Sequence, residues 1–460
     1  MTGPLRHPVA RSAGRRPHVA IIGGGASGVL MALHLLTRTS GRPDDACRVT
    51  LLEGANSPGC GLAYSTSDPD HLLNTRVQNM SAFPDDPDHF QRWLATQGRP
   101  ARPMDFVTRA TYGRYLGALL QDGIATANRR LSFLRQSCLR VEPRGQGYRL
   151  HLGAGAAVLD VDAVILATGH ALPAAHPLLR NAWQPIGGLD PDAAVVILGT
   201  GLSMVDQVLS LLVAGHRGQI TAVSRRGLLP REHAPTVLIR LDLAELPLGQ
   251  PLSAWLRWLR ALARQSGDWR GVVDGLRPHL RRVWSSLPRA ERRRFLRHAV
   301  SWWDVHRHRI PPASAGRLRE ALASGQLVLR RGRFRDVARQ DLRLALTFDG
   351  LGAVTADIAI DCRGIRHDPA EAASPLIRDM LGRGIARVDP LRIGLDIAPD
   401  CRVIAGDGTP HAGLFAIGPV SRAAFWEITA IPDIREQTMA LAERLDGLHT
   451  GGNHWAIAGA

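Results

Sequence analysis

Two glycine turns are the residues in this chain best suited to chemistry. Gly23-x-Gly25-x-x-Gly28 follows the apolar run His18 to Ile22 and precedes the helix-forming run Val29 to Leu36. A second apolar run, Arg48 to Leu52, then ends at Glu53. In a strand, turn and helix of this kind the first glycine permits the tight turn and the second lets a pyrophosphate approach the backbone. The third lets the helix pack on the strand, and the helix N-terminus offers free N–H groups to phosphate. Glu53 stands where an acid accepts hydrogen bonds from an adenosine ribose, and an acid there disfavours a 2′-phosphate. The pattern predicts a dinucleotide site.

The second turn, Gly199-x-Gly201-x-Ser203 with Asp206, follows the apolar run Ala194 to Leu198 but has Met204 where the third glycine would stand. That departure predicts a different helix packing. Some twenty residues later this unit carries Ser224-Arg225-Arg226 and no acid. Arg225 or Arg226 can pair with a 2′-phosphate, which points to NADPH and leaves NADH open; the alternative is a solvated basic loop.

These motifs need parallel strands and helices to position them, and the chain supplies both. We read the fold as α/β, with two Rossmann-like dinucleotide-binding domains, interleaved, and a helical insertion. One domain is expected over 18–190 and 355–445, and a nicotinamide domain over 191–354. The latter contains a helical stretch, 254–323, with Trp255, Trp258, Trp269, Trp284, Trp302 and Trp303, and residues 1–17 read as a disordered tail. The tryptophans either pack helices against the nucleotide domains or form a substrate wall. Asp162 to Ala167, closed by Thr168-Gly169, is a further buried strand, and Leu414 to Ile417 leads through Gly418 into a helix from Pro432 to Leu445. The stretch from Gly59 to Gln97 is polar, irregular and rich in Asp and Pro, the character of a binding loop.

Composition narrows the function classes. The formal net charge is +16, all 57 basic residues are arginine, and they recur along the whole chain instead of forming a tail or stripe. A nucleic-acid binder is therefore disfavoured, while arginine suits anionic small molecules. Cys47, Cys60, Cys138, Cys362 and Cys401 form no Cys-x-x-Cys pair, so neither a metal site nor a redox dithiol is expected, and a cytoplasmic setting fits. No membrane span is read from the sequence.

More specific motifs accompany the glycines: Gly61-Leu62-Ala63-Tyr64, His71-Leu72-Leu73-Asn74, Met80-Ser81, Tyr112-Gly113-Arg114-Tyr115-Leu116, Ser224 to Pro230, and Trp426-Glu427 with Pro432-Asp433-Ile434-Arg435. With them the chain, from about His18 to Gln437, resembles the FAD/NAD(P)-binding family that includes FAD-dependent urate hydroxylase and L-aspartate N-monooxygenase. The resemblance implies a monooxygenase in which NAD(P)H reduces FAD, O2 adds to the reduced flavin, and the resulting hydroperoxide gives one oxygen atom to a nucleophilic substrate. It implies Gly23, Gly25, Gly28, Glu53, Thr168, Gly169 and Gly418 as FAD contacts, and Gly199, Gly201, Ser203, Arg225 and Arg226 as nicotinamide-nucleotide contacts. Such chemistry belongs to the cofactor, which agrees with the lack of a serine triad or paired carboxylates.

For the substrate pocket the candidates are Asn74, Asn79, Arg76 and Arg109, able to bind a polar or anionic group, and His170, able to stabilise a charged intermediate. Each also has a structural alternative in a turn, a solvated surface or a packed core. Urate hydroxylation to 5-hydroxyisourate, in purine catabolism, is the favoured activity on the sequence. N-hydroxylation of an amino acid such as L-aspartate is the alternative, and a flavoprotein that binds FAD without turnover is a third reading. Oligomeric state is not read from the sequence.

Overall fold

The computed structural model describes residues 16–38, 47–54, 57–153, 155–170, 175–184, 186–365 and 368–450. Of the tail expected over 1–17, residues 1–15 lie outside the described residues. The chain begins with β1 (His18–Ile22), α1 (Ala26–Arg38), β2 (Arg48–Leu52), α2 (His89–Thr96), α3 (Arg109–Thr126) and β3 (Leu131–Leu134). It continues with β4 (Cys138–Arg144), β5 (Gly147–Leu152), β6 (Val158–Val161), β7 (Ala163–Leu166), β8 (Arg180–Asn181), β9 (Val195–Leu198), α4 (Leu202–Val213) and β10 (Ile220–Ser224). A helical segment follows, α5 (Leu252–Ser266), α6 (Trp269–Leu276), α7 (Leu280–Ser286), α8 (Arg289–His298), α9 (Val300–Arg307) and α10 (Pro312–Ala323). The rest comprises β11 (Leu327–Arg331), β12 (Arg333–Gln340), β13 (Arg343–Asp349), β14 (Gly352–Ala356), β15 (Ile358–Asp361), α11 (Pro375–Gly382), β16 (Arg402–Ile404), β17 (Pro410–Ala416) and α12 (Ile431–Thr450).

Two sheets carry the architecture. The first has the order β16-β17-β7-β1-β2-β3 and is parallel except at its edge strand β16. The second, β11-β10-β9-β15-β8, is parallel throughout. Strands covered on both faces need unbroken apolar runs, and β1, β7 and β9 are buried at every residue. Arg180–Asn181 and Ile358–Asp361, placed on the sequence in the first unit, pair instead within the second sheet. The reason is register: β15 lies beside β9 with Ile358 opposite Val195, and β8 then extends that edge. Two antiparallel sheets, β4-β5-β6 and β12-β13-β14, flank the parallel ones.

The helical segment is built on period 3.6. Leu252, Trp255, Leu256, Leu259 and Ala263 fall on one face of α5, which ends at Gly267 in the left-handed conformation (φ +70°) that a helix stop favours. Asp268 then caps α6 by accepting the Arg270 N–H at 2.9 Å. The segment is fastened to the C-terminal part of the chain by the Trp284 ring, stacked on Trp426 with 4.6 Å between centroids, and by its indole N–H, which donates to the Ala423 carbonyl at 2.9 Å. Among the described residues, no helix is long and apolar enough to cross a membrane.

Candidate functional site

The β1 to α1 turn has the geometry of a phosphate cradle. Gly23 sits at φ +110°, and a Cβ there would lie 2.3 Å from the Ala167 carbonyl oxygen on the neighbouring strand. A Cβ on Gly28 would meet the Gly23 carbonyl at 1.9 Å, so only glycine lets α1 approach. Gly25 faces Gly61, whose Cα is 3.3 Å from where a Gly25 Cβ would be, and this keeps the mouth of the turn free of side chains. Glu53 accepts the Gly24 N–H at 3.0 Å and stands half-buried at the end of β2. Gly418, after β17, packs on Ser27 at the first turn of α1 and donates its N–H to Gln437 Oε1 at 2.7 Å. Thr168, Gly169 and His170 share with Arg422 a cavity of about 270 Å3 beside this turn. The glycine cradle, the helix N-terminus and the acid fit a dinucleotide of the FAD kind.

The second turn repeats the first. Gly23 N–H donates to the Leu52 carbonyl and Gly199 N–H to the Val223 carbonyl, each at 2.8 Å. Gly199 sits at φ +104°, with a Cβ position 2.4 Å from the Cys362 carbonyl, as Gly23 sits against Ala167. Gly201 and Ser203 stand at the start of α4, and a Cβ on Gly201 would meet nothing within 4 Å. Met204 is fully buried, so its side chain fills the space that Gly28 leaves to direct helix contact in the first unit. Arg225 is exposed at the end of β10, whereas Arg226 donates to the His298 carbonyl at 3.0 Å. We expect an Arg225→Ala variant to raise KM for NADPH by ~10–100-fold and to leave KM for NADH nearly unchanged, since one charge-assisted phosphate contact is lost; steady-state kinetics with both donors checks this.

The pocket candidates part company. Arg109, expected to hold a ligand anion, is spent within the protein: its Nη2 is 2.8 Å from Asp206 Oδ2 and its Nε donates to the Leu72 carbonyl at 3.2 Å. It joins the first α/β unit to the second turn, as does His71, whose Nε2 is 2.9 Å from Ser210 Oγ. Asn74 is engaged through its backbone carbonyl, 3.0 Å from His233 Nε2, and Asn79 ends a half-buried 3-10 turn over Val77–Asn79. Arg76 behaves differently. Its Nη2 donates to the Ala234 carbonyl at 2.8 Å, while its Nε is buried with no hydrogen-bond partner among the described residues.

Arg76 belongs to a buried cluster that the sequence motifs did not single out. Arg309, 3 % exposed, donates through Nη2 to Asp274, while its Nε and Nη1 make no hydrogen bond among the described residues. Arg307 lies 3.7 Å from Glu427 and 3.6 Å from Asp433, and Arg277 pairs with Asp433 at 2.8 Å. Arg435 donates to the Ser81 carbonyl at 2.9 Å, and its Nε too is buried without a hydrogen-bond partner among the described residues. Burial, followed by the mutual repulsion of Arg76 and Arg309, pushes the Arg76 guanidinium below its ordinary range. Five arginines thus face three carboxylates, Asp274, Asp433 and Glu427, and several buried N–H donors make no hydrogen bond among the described residues, a charge balance that would suit an anion. Glu427 is held strongly ionised despite burial by His308 and Arg307, and Trp303 Nε1 donates to it at 2.9 Å.

Three buried histidines near these sites are shifted toward the neutral form. Burial pushes His170 down to about 4, with Arg422 adding to the effect, and the same cause brings His34 and His233 to about 4. A histidine lowered in the folded state leaves more protons on the unfolded chain, so stability is lost as pH falls from about 6.5 toward 4. His89 and His216 act in the same sense, while Asp304, raised by burial to about 6, and Asp389 oppose them. The histidines outnumber the acids, so the urea midpoint should fall between pH 7 and pH 5; a midpoint that holds steady contradicts their burial as neutral groups.

Residues 20–171 match a family model described as FAD-NAD(P)-binding, so this part of the chain is an FAD/NAD(P)-binding domain. No curated protein matches the sequence. Among solved structures the chain is similar to the L-lysine 6-monooxygenase of Pseudomonas syringae, with a TM-score of 0.63 and 16% identity over 94% of this chain and 99% of that one. It is similar to the reduced ornithine hydroxylase of Pseudomonas aeruginosa, with a TM-score of 0.62 and 15% identity over 95% and 99%. It is also similar to the Kutzneria sp. 744 ornithine N-hydroxylase with reduced FAD, NADP+ and L-ornithine, at 0.61 and 13% over 94% and 99%. At these identities the likeness is one of fold, and it extends over nearly the whole of each chain.

Proposed function

We propose that the chain is an FAD-dependent, NAD(P)H-consuming monooxygenase that hydroxylates the amine of an acidic amino acid of the L-aspartate type. The observation that carries this reading is the buried arginine cluster of Arg76, Arg307, Arg309 and Arg435. Its unpaired donors suit two carboxylates and would repel the side-chain ammonium of lysine or ornithine. The fold that the chain shares with amino-acid N-hydroxylases supports the reaction class. Urate hydroxylation, the first expectation from sequence, finds no support in these comparisons.

Bound FAD supplies the redox and oxygen-transfer chemistry, fed by the nicotinamide nucleotide at the second turn. The reaction balances as amine, O2, NAD(P)H and a proton giving hydroxylamine, NAD(P)+ and water. The chain's own part is to hold FAD at Gly23, Gly25, Gly28, Glu53, Thr168, Gly169 and Gly418, and the nicotinamide nucleotide at Gly199, Gly201, Ser203 and Arg225. Arg76 and Arg309 orient the carboxylates, and their positive charge favours the unprotonated form of the amine beside them. The test is NAD(P)H and O2 consumption with L-aspartate, L-lysine, L-ornithine and urate added separately, and hydrogen peroxide monitored. Stimulation by L-aspartate with little peroxide supports the reading. Stimulation by lysine, ornithine or urate alone overturns the substrate assignment.

A further inference from the structure

Helices α5 to α9, with Trp426, line an open-mouthed cavity of about 880 Å3, separate from both glycine turns. Its volume is within the ~300–1,000 Å3 range of small-molecule sites. Trp255, Trp269, Trp284, Trp302, Trp303 and Trp426 line it, with leucine, valine and alanine side chains between them. Helices that pack only against each other close such a space, because a dry apolar void forfeits dispersion contacts all along its walls.

Two features say what would occupy it. First, the ionisable residues in its lining are Arg260, Arg294, His298 and His306, and no acidic side chain lines it among the described residues. Arg260 and Arg294 are exposed at the rim, and among the described residues Arg294 has only the neighbouring Glu291 as a partner, at 3.2 Å. Second, Trp255 is 3 % exposed and its indole Nε1 has no accessible surface, so the wall meets an occupant with apolar surface there and not with that N–H. Trp303 marks the boundary of the space, because it lines the cavity while its own N–H is committed to Glu427.

We propose that this cavity binds an anionic amphiphile, an alkyl carboxylate whose chain lies among the tryptophans and whose acid end is met by Arg260 and Arg294. The site stands apart from the monooxygenase reading and does not depend on it. Six tryptophans in the wall make binding visible as a change in intrinsic fluorescence, a readout that needs no turnover.

The experiment titrates the flavin-loaded full chain with decanoate, below the concentration at which it forms micelles, and in parallel with decanol and decyltrimethylammonium. Saturable quenching by decanoate, with one decanoate per chain in native mass spectrometry, is expected, and decyltrimethylammonium should bind at least ~10-fold more weakly. The Arg260→Glu/Arg294→Glu double variant, altered only at the exposed rim, should weaken decanoate ~10-fold and leave decanol unchanged. Ala263→Trp, which narrows the cavity, should weaken binding of both. Absence of saturable binding to the unaltered protein overturns the proposal, as does equal binding of the anionic and cationic chains. So does undiminished decanoate binding by the rim variant, a result that stands whether or not the Ala263→Trp protein folds.

Discussion

Gly23→Ala protein is expected to purify colourless or to be lost as insoluble material. The substitution puts a Cβ 2.3 Å from the Ala167 carbonyl oxygen, a backbone atom directly after strand β7 that cannot move without its neighbours, and does so at φ +110°. Each of these costs about 1–3 kcal/mol, and relieving them opens the turn that cradles the pyrophosphate. A flavin content at least ~10-fold below that of the unaltered protein corresponds to only ~1.4 kcal/mol, so the effect should be plain in the visible spectrum. Gly199→Ala makes the complementary comparison. It has the same clash, against Cys362, but lies in the other sheet, so it should keep its yellow colour and lose NAD(P)H-dependent flavin reduction. A fully yellow Gly23→Ala protein would contradict the placement of FAD at the first turn.

Arg309→Met should lower kcat/KM for L-aspartate by ~10²–10³-fold. A buried, charge-assisted contact to a carboxylate contributes ~1.5–3 kcal/mol, and its loss removes the orientation of the amine as well. The variant also strands Asp274, whose carboxylate is 30% exposed and therefore partly rescued by water. Adding Asp274→Leu removes that unpaired charge. The double variant should recover the thermal midpoint and not the activity, which separates a role toward substrate from a role in packing. Arg76→Met, with no carboxylate in hydrogen-bond contact, should raise KM by ~10–100-fold at unchanged flavin content. Equal kcat/KM in the Arg309→Met and unaltered proteins would dissociate the arginine cluster from the substrate.

The parallel sheets were legible because strands buried on both faces announce themselves as unbroken apolar runs. His18–Ile22 and Arg48–Leu52 form strands over the residues read from the sequence, while α12 runs on to Thr450, beyond the expected Leu445. Of the small antiparallel sheets, only the strand character of Leu342 to Phe348, overlapping β13, is read from the sequence. β5 does alternate, with Tyr148, Leu150 and Leu152 inward, but its partners β4 and β6 are half-exposed, so period two is hidden by charged residues. Helix α3 was missed although Thr108 caps it by accepting the Thr111 N–H, because Tyr112, Gly113 and Tyr115 weaken helix propensity in its first turns.

In the site, motifs held by the backbone were readable and clusters made by tertiary approach were not. Gly23 and Gly199 carry their geometry within a single turn. Arg76 was among the pocket candidates, but Arg277, Arg307 and Arg309, from distant parts of a chain with 57 basic residues, offered no contrast in composition by which to select them. Arg109 looked equally suitable and is consumed by Asp206, a pairing that depends on how the two α/β units dock. A signal was present in part: Asp433 and Arg435 stood in a motif noted on the sequence, and both prove to face the cluster.

The most direct test of the account is the mass of the product formed from L-aspartate under 18O2 with NADPH. N-hydroxyaspartate carrying one labelled oxygen on nitrogen is expected, formed in step with NADPH consumed. Unchanged aspartate, with NADPH oxidised and the 18O2 reduced only to labelled hydrogen peroxide, would contradict the proposed reaction.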